Sequence, residues 1–417
     1  MRYSGRMSPV ARPAPPPDFP AAAETVIRRL RTALAAVVYG IPGFSYRRPA
    51  DLATELGLDP KLAWNIGRCV DTPDLFASVR FMPGPTGIRT LLRAAQRRAA
   101  PAEALAETRT AFAAFRELVR THAGSRKYFN MLAAGLTATD RRRADIEHRR
   151  LMFEGNTYVW GVRARTLFRA NIVRPSADGD TYDLVAVRGF IDFCRMRPNV
   201  AWRLGQSFSV DSTHRVHHDA RRVPLDPAFT GPVPLLTDFC SHPTPAFRPV
   251  LSAHGEIEFE FVESSVGDTA RVTCVTGELL RAVEPRYRTD LYDDFCNAFS
   301  IRTPAEVLVF DLLLHRDLFP GGGGLCPELY SDLFGGGPQL RYEPTALLPL
   351  HDPLIPLGSG LDVVHTADIP RYPEMLRQAL AWAGWNGEEF DVYRLRIQYP
   401  PLPTTVMLRR PLPARPA

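Results

Sequence analysis

With 417 residues, 45% hydrophobic and 23% charged, the chain has apolar residues enough for two or three domains of about 100–200 residues each, which excludes a wholly disordered protein. No run of about 18 apolar residues occurs, which excludes an ordinary membrane-spanning helix, so no membrane partner is expected. The net charge of +6 divides into +12 over residues 1–150 and −6 over residues 151–417, and the basic part calls for an acidic partner, nucleic acid or an anionic surface.

Residues 1–20 contain Pro13-Ala-Pro-Pro-Pro17 and read as a disordered, Pro-rich arm. No apolar stretch of about 7–15 residues follows the basic start, so no secretory signal is expected. Over residues 21–40, Ile27, Leu30, Leu34 and Val37 share one helical face, and Pro42-Gly43 ends the helix. Two short helices follow over 49–70, then a turn cluster at Pro83–Gly87. Helices are predicted over 88–99, 102–120, 125–137 and 139–152, so residues 21–150 read as a basic all-α module.

From about residue 155, aromatic and β-branched residues become commoner. Strands are predicted at Tyr158–Val173, Val200–Val210, Ile257–Val262, Arg271–Thr276, Asp391–Gln398 and Thr405–Arg409. Helices are predicted over 184–196, 289–300, 303–316 and 372–384, and irregular chain over 320–360. The fold class expected is α+β overall, an all-α module followed by an acidic α+β domain over 151–417. Cysteines at 69, 194, 240, 274, 296 and 326 form no C-x-x-C pair. Their scatter fits reduced thiols in a cytoplasm.

The best-patterned segment is Pro49-Ala-Asp-Leu-Ala-Thr-Glu-Leu-Gly-Leu-Asp-Pro-Lys-Leu-Ala-Trp-Asn-Ile-Gly-Arg68. Ala53 is the small residue where two helices cross, and Gly57 tolerates the positive φ of a tight turn. Leu52, Leu56, Leu58, Ala63 and Ile66 have the spacing of a core shared by both helices. Asp59 suits the cap of the second helix and Pro60 its first position. The segment resembles a helix-turn-helix, and the arrangement is similar to bacterial regulators with an N-terminal DNA reader and a larger C-terminal domain.

That resemblance, which covers about 50–80 residues, implies that the second helix enters the major groove of double-stranded DNA. The exposed candidates are Lys61, Trp64, Asn65 and Arg68. Asn pairs bidentately with adenine and Arg with guanine. Lys61 and Arg47 or Arg48 suit phosphate contacts. Trp64 reads either as a core residue or as a base contact. Residues 76–92 read either as a wing, with strands Phe76–Met82 and Ile88–Leu92, or as a loose helix-hairpin-helix whose glycine spacing departs from that pattern. Arg80, Arg89, Arg93, Arg97 and Arg98 add positive charge nearby. Arg141–Arg143 with Arg149 and Arg150 either extend a phosphate footprint or form a solvated helix end. Of the 51 basic residues 49 are arginine, a compositional bias, so the charge total carries the argument rather than the choice of arginine.

The C-terminal part offers less. His214, His217 and His218 are ligand types for zinc or iron, with Cys240 and His242 as further candidates, against a polar-loop reading that needs no metal. His315-Arg316-Asp317 copies a kinase fragment, but no lysine follows Lys127, so the kinase reading fails. Gly321–Gly324 and Gly335–Gly337 lack the Lys-Ser/Thr of a Walker loop and read as flexible loops. No cofactor is expected. The leading expectation is a cytoplasmic DNA-binding transcriptional regulator whose C-terminal domain binds an effector or forms a homo-oligomer. The alternatives are a metal-dependent enzyme in that domain, or a protein–protein adaptor using the helical module.

Overall fold

The structure is a computed structural model. It describes residues 18–137, 141–204, 209–210, 216–217, 222–231, 233–251, 257–262, 265–319, 324–331 and 344–416. Two compact units divide between Ala144 and Asp145. Among the described residues, no helix is long and apolar enough to cross a membrane.

The first unit is all-α. It comprises α1 (Phe19–Tyr39), α2 (Pro49–Leu56), α3 (Pro60–Asp71), a 3-10 turn (Ala77–Phe81), α4 (Pro85–Arg97), α5 (Ala102–His122) and α6 (Arg126–Leu136). Each amphipathic stripe faces one core: Ile27, Leu30, Leu34 and Val37 from α1 meet Leu105, Phe112, Phe115 and Leu118 from α5. Phe19 and Pro20 belong to α1 rather than to the N-terminal arm, because Pro20 sits in the first turn, where its missing N–H costs nothing. Residues 1–17 of that arm lie outside the described residues.

The second unit opens inside α7 (Arg141–Trp160), six residues earlier than the boundary expected at 150. The reason is chemical. Asp145 bonds His351, and Arg149 pairs with Asp352 at 2.8 Å, both within this unit. Its centre is a seven-stranded sheet of β1 (Val162–Pro175), β2 (Tyr182–Arg195), β6 (Arg222–Pro224), β9 (Val272–Leu280), β11 (Ala305–His315), β14 (Leu354–Ser359) and β15 (Phe390–Gln398). Across the sheet their order is β14-β15-β11-β1-β2-β9-β6. β1 and β11 lie parallel, and the other neighbours are antiparallel.

One face of this sheet is covered by α8 (Tyr372–Ala383), through Phe168, Ile172, Val309 and Leu376. The other face packs on a four-stranded sheet of β10 (Asp294–Ile301), β16 (Thr404–Pro411), β12 (Cys326–Tyr330) and β13 (Leu347–Leu348), through Leu308, Phe310, Phe295 and Val406. A three-stranded sheet holds β3 (Arg203–Leu204), β8 (Ile257–Phe261) and β7 (Phe247–Leu251). A two-stranded one pairs β4 (Ser209–Val210) with β5 (Val216–His217). The fold class is α+β.

Three helices expected from the sequence are strands. Residues 184–196, 289–300 and 303–316 correspond to β2, β10 and β11. β2 and β11 are covered on both faces, so apolar residues fall on both faces and the alternation that marks a half-buried strand disappears. His315, read as the end of a helix, ends β11. The irregular chain expected over 320–360 contains β12, β13 and β14. The glycine-rich loop at 335–337 and all but Gly324 of the run 321–324 lie outside the described residues.

Candidate nucleic-acid interface

The exposed surface of α3 is built from the turn upward. Gly57 closes α2 at φ +59°, a left-handed conformation that strains a residue carrying a Cβ. The Asp59 carboxylate accepts the backbone N–H groups of Lys61 (3.0 Å) and Leu62 (3.1 Å) and so caps α3. Leu52, Leu56, Leu58, Ala63 and Ile66 are all buried. Ala53 is only partly buried against this core; the closest approach falls at Gly67 instead. A Cβ there would lie 2.5 Å from the Tyr46 oxygen and 2.7 Å from Pro49 Cγ. Tyr46 donates to Asp71 at 2.7 Å, which ties the chain before α2 to the end of α3. Burial first, and the Asp71 carboxylate next, hold the Tyr46 phenol protonated well beyond the usual tyrosine range.

With its inner face fixed, α3 turns Lys61, Trp64, Asn65 and Arg68 outward, at positions i, i+3, i+4 and i+7 of one face. Lys61 and Arg68 are exposed and form no ion pair among the described residues. Asn65 is partly exposed. Trp64 is 48% exposed, neither a core residue nor free, because its ring meets the edge of Phe81 at 5.2 Å and 85°. Phe81 is the residue that sequence reading missed. The guanidinium of Arg68 lies 5.3 Å from its ring and that of Arg80 4.6 Å. One buried phenylalanine thus organises an indole and two cations into a single platform.

The 3-10 turn that presents Arg80 and Phe81 is held from beneath. Arg126 donates to the carbonyls of Val79 (2.5 Å) and Met82 (3.3 Å) and stacks over Phe115 at 4.8 Å. Burial lowers its guanidinium to about 10, and the carbonyls compensate the buried charge. This turn and α4 replace the wing expected over 76–92. Neither Phe76–Met82 nor Ile88–Leu92 is a strand. Ile88, Leu91 and Leu92 bury one stripe of α4, while Arg89, Arg93 and Arg97 stay on its exposed face. The helix-hairpin-helix alternative also lacks support, since Gly84 is the N-cap of α4 in an extended conformation rather than part of a tight loop between helices.

The remaining basic candidates separate into free and engaged. Arg47 is exposed without an ion pair among the described residues, whereas Arg48 pairs with Asp51 at 2.9 Å. That pair is surface-exposed and weak. Arg98 is engaged with Glu55. Arg149 is withdrawn from any phosphate footprint by its largely buried pair with Asp352, and Arg150 pairs with Glu154 at 2.5 Å.

Of the metal candidates, His214 and His218 lie outside the described residues, and His217 is placed only as backbone in β5. Cys240 lies against β9, its sulfur accepting the Val275 N–H at 3.3 Å. Among the described residues, no three His, Cys, Asp or Glu side chains gather as a metal site. No protein-family model matches the chain, and no curated protein matches it.

Proposed function

We propose that the chain is a DNA-binding transcriptional regulator working in the cytoplasm, with α3 as the helix that reads the major groove and the acidic unit as its assembly or effector domain. The observation that carries this reading is the row Lys61, Trp64, Asn65 and Arg68 on the outward face of α3, in a unit whose sequence is strongly basic. Asp59 already occupies the N-terminal amides of α3, so phosphates are met by side chains, Lys61, Arg47 and Arg48, rather than by the helix end. Asn65 supplies one donor and one acceptor for adenine, and Arg68 two donors for guanine, the bidentate pairings that distinguish base pairs. Selection of duplexes from a random pool by the full-length protein tests the assignment. Asn65→Ala or Arg68→Ala is expected to relax preference at one base pair by about 1–3 kcal/mol. Unchanged enrichment in both variants, or no duplex recovered by the parent, would contradict it.

A second copy of the chain completes the proposal. α7 leaves Leu151, Met152, Tyr158 and Val159 exposed, Tyr158 to 79%, in a row repeating every seven residues. Such a row is larger than the scattered apolar residues of an ordinary surface. It is also self-complementary: a two-fold axis near Gly155 sets Leu151 of one copy against Val159 of the other, and Met152 against Tyr158. A two-fold dimer in turn matches the two half-sites of a palindromic duplex. Sedimentation of the full chain is expected to show a dimer that Val159→Glu dissociates. A monomeric parent at micromolar concentration would remove this part of the reading.

A further inference from the structure

The segment Leu235–Ser241 lies along the edge of β9 on either side of a 3-10 turn at Thr237–Phe239. Leu236 N–H donates to the Val275 carbonyl at 2.9 Å, and Ser241 N–H to the Thr273 carbonyl at 2.8 Å. This alignment places Cys240 against Cys274. The Val275 N–H reaches Cys240 Sγ at 3.3 Å, and the Cys240 thiol lies 3.4 Å from the Leu236 carbonyl and 3.6 Å from the Val275 carbonyl. Cys240 is partly exposed, whereas Cys274 is 1% exposed on β9.

No other described cysteine has such a neighbour. Cys69 lies buried in the first unit with its sulfur 3.4 Å from Met82 Sδ. Cys296 and Cys326 flank Arg409 from opposite sides of β16. Two strand spacings of about 4.8 Å separate them, beyond the reach of a disulfide. Cys194 is buried on β2.

We propose that Cys240 and Cys274 form a peroxide-responsive pair that closes to an intramolecular disulfide, Cys240 reacting first and Cys274 resolving it. The neighbouring Cys274 thiol holds the Cys240 thiol below its ordinary range, while the Cys240 sulfur and burial push Cys274 well up. The outer sulfur is therefore the readier thiolate. It attacks one oxygen of hydrogen peroxide; the S–O bond forms, the O–O bond breaks, and the departing hydroxide takes a proton to become water. The Cys274 sulfur then attacks the sulfenic sulfur; the S–S bond forms, the S–O bond breaks, and the second hydroxide leaves as water with the Cys274 proton. Two electrons pass from the sulfurs to the peroxide.

The bridge closes a loop that contains the β7–β8 hairpin. It also fixes the segment whose Asp238 carbonyl accepts Arg371 Nη1 at 2.9 Å ahead of α8. Oxidation is thus expected to raise the melting temperature by several degrees.

The test treats the reduced full-length protein with hydrogen peroxide, counts thiols and maps peptides without reduction. The proposal expects the loss of two of the six thiols, a linked Cys240–Cys274 peptide two hydrogens lighter, and full reversal by dithiothreitol. Cys274→Ser is expected to leave a sulfenic acid on Cys240 that dimedone traps. The proposal is overturned if the linked peptide is absent from the oxidised parent, if oxidation falls on exposed Cys326 alone, or if Cys240 stays a sulfenic acid in the parent. The parent's peptide map decides the matter even if a variant fails to fold.

Discussion

Phe81 shows why single residues in the candidate interface were unevenly legible. Lys61, Asn65 and Arg68 announce themselves by helical spacing around buried Ala63 and Ile66. Phe81 sits in a short 3-10 turn, where no periodicity marks it, yet it sets the positions of Trp64, Arg68 and Arg80. At the same scale, a partly buried charge pair in the second unit links stability to pH. Asp368 accepts two hydrogen bonds from Arg396, at 2.7 and 3.1 Å. These bonds, outweighing desolvation, hold its carboxyl below the usual aspartate range. A carboxylate depressed in the folded state contributes stability that is present above its unfolded pKa, about 3.9, and is lost as pH falls through the folded value. Asp368→Asn is therefore expected to cost about 1–2 kcal/mol at neutral pH and to flatten the acid limb below about pH 4. Urea unfolding of parent and variant between neutral and acid pH checks this; an unchanged difference at low pH would exclude the linkage.

At the scale of elements, the helices of the first unit were readable because each has one apolar stripe and clear punctuation. Gly57, Asp59 and Pro60 mark the turn between α2 and α3. The strands β2 and β11 were misread because two covered faces place apolar residues at consecutive positions, and only their partners distinguish them from buried helices. The close approach of α3 to Tyr46 and Pro49 was assigned to Ala53 and belongs to Gly67, since packing distance follows from tertiary contact rather than from sequence spacing. Gly67→Ala is expected to overpack this contact and destabilise the first unit by about 1–3 kcal/mol. Thermal unfolding reads the loss. A neutral result would mean that α3 shifts freely, and the outward register of Lys61, Asn65 and Arg68 would then lose its support.

At the scale of the molecule, the charge partition acquires a structural address. The basic excess belongs to an all-α unit with Lys61 and Arg68 exposed on α3, and the acidic excess to a layered α+β unit whose buried Asp311 and Arg394 pair bidentately across β11 and β15 at 2.8 and 2.7 Å. The division of the chain was legible in composition; its position at Asp145 was not, because it depends on His351 and Asp352, about two hundred residues away. The most direct measurement is the affinity of the full-length protein for duplex DNA across salt concentrations. Log K is predicted to fall linearly with log salt, with a slope near −0.9 per phosphate neutralised, and Lys61→Ala should reduce the magnitude of that slope by about 1. Undetectable binding, or affinity insensitive to both salt and Lys61, would contradict the account.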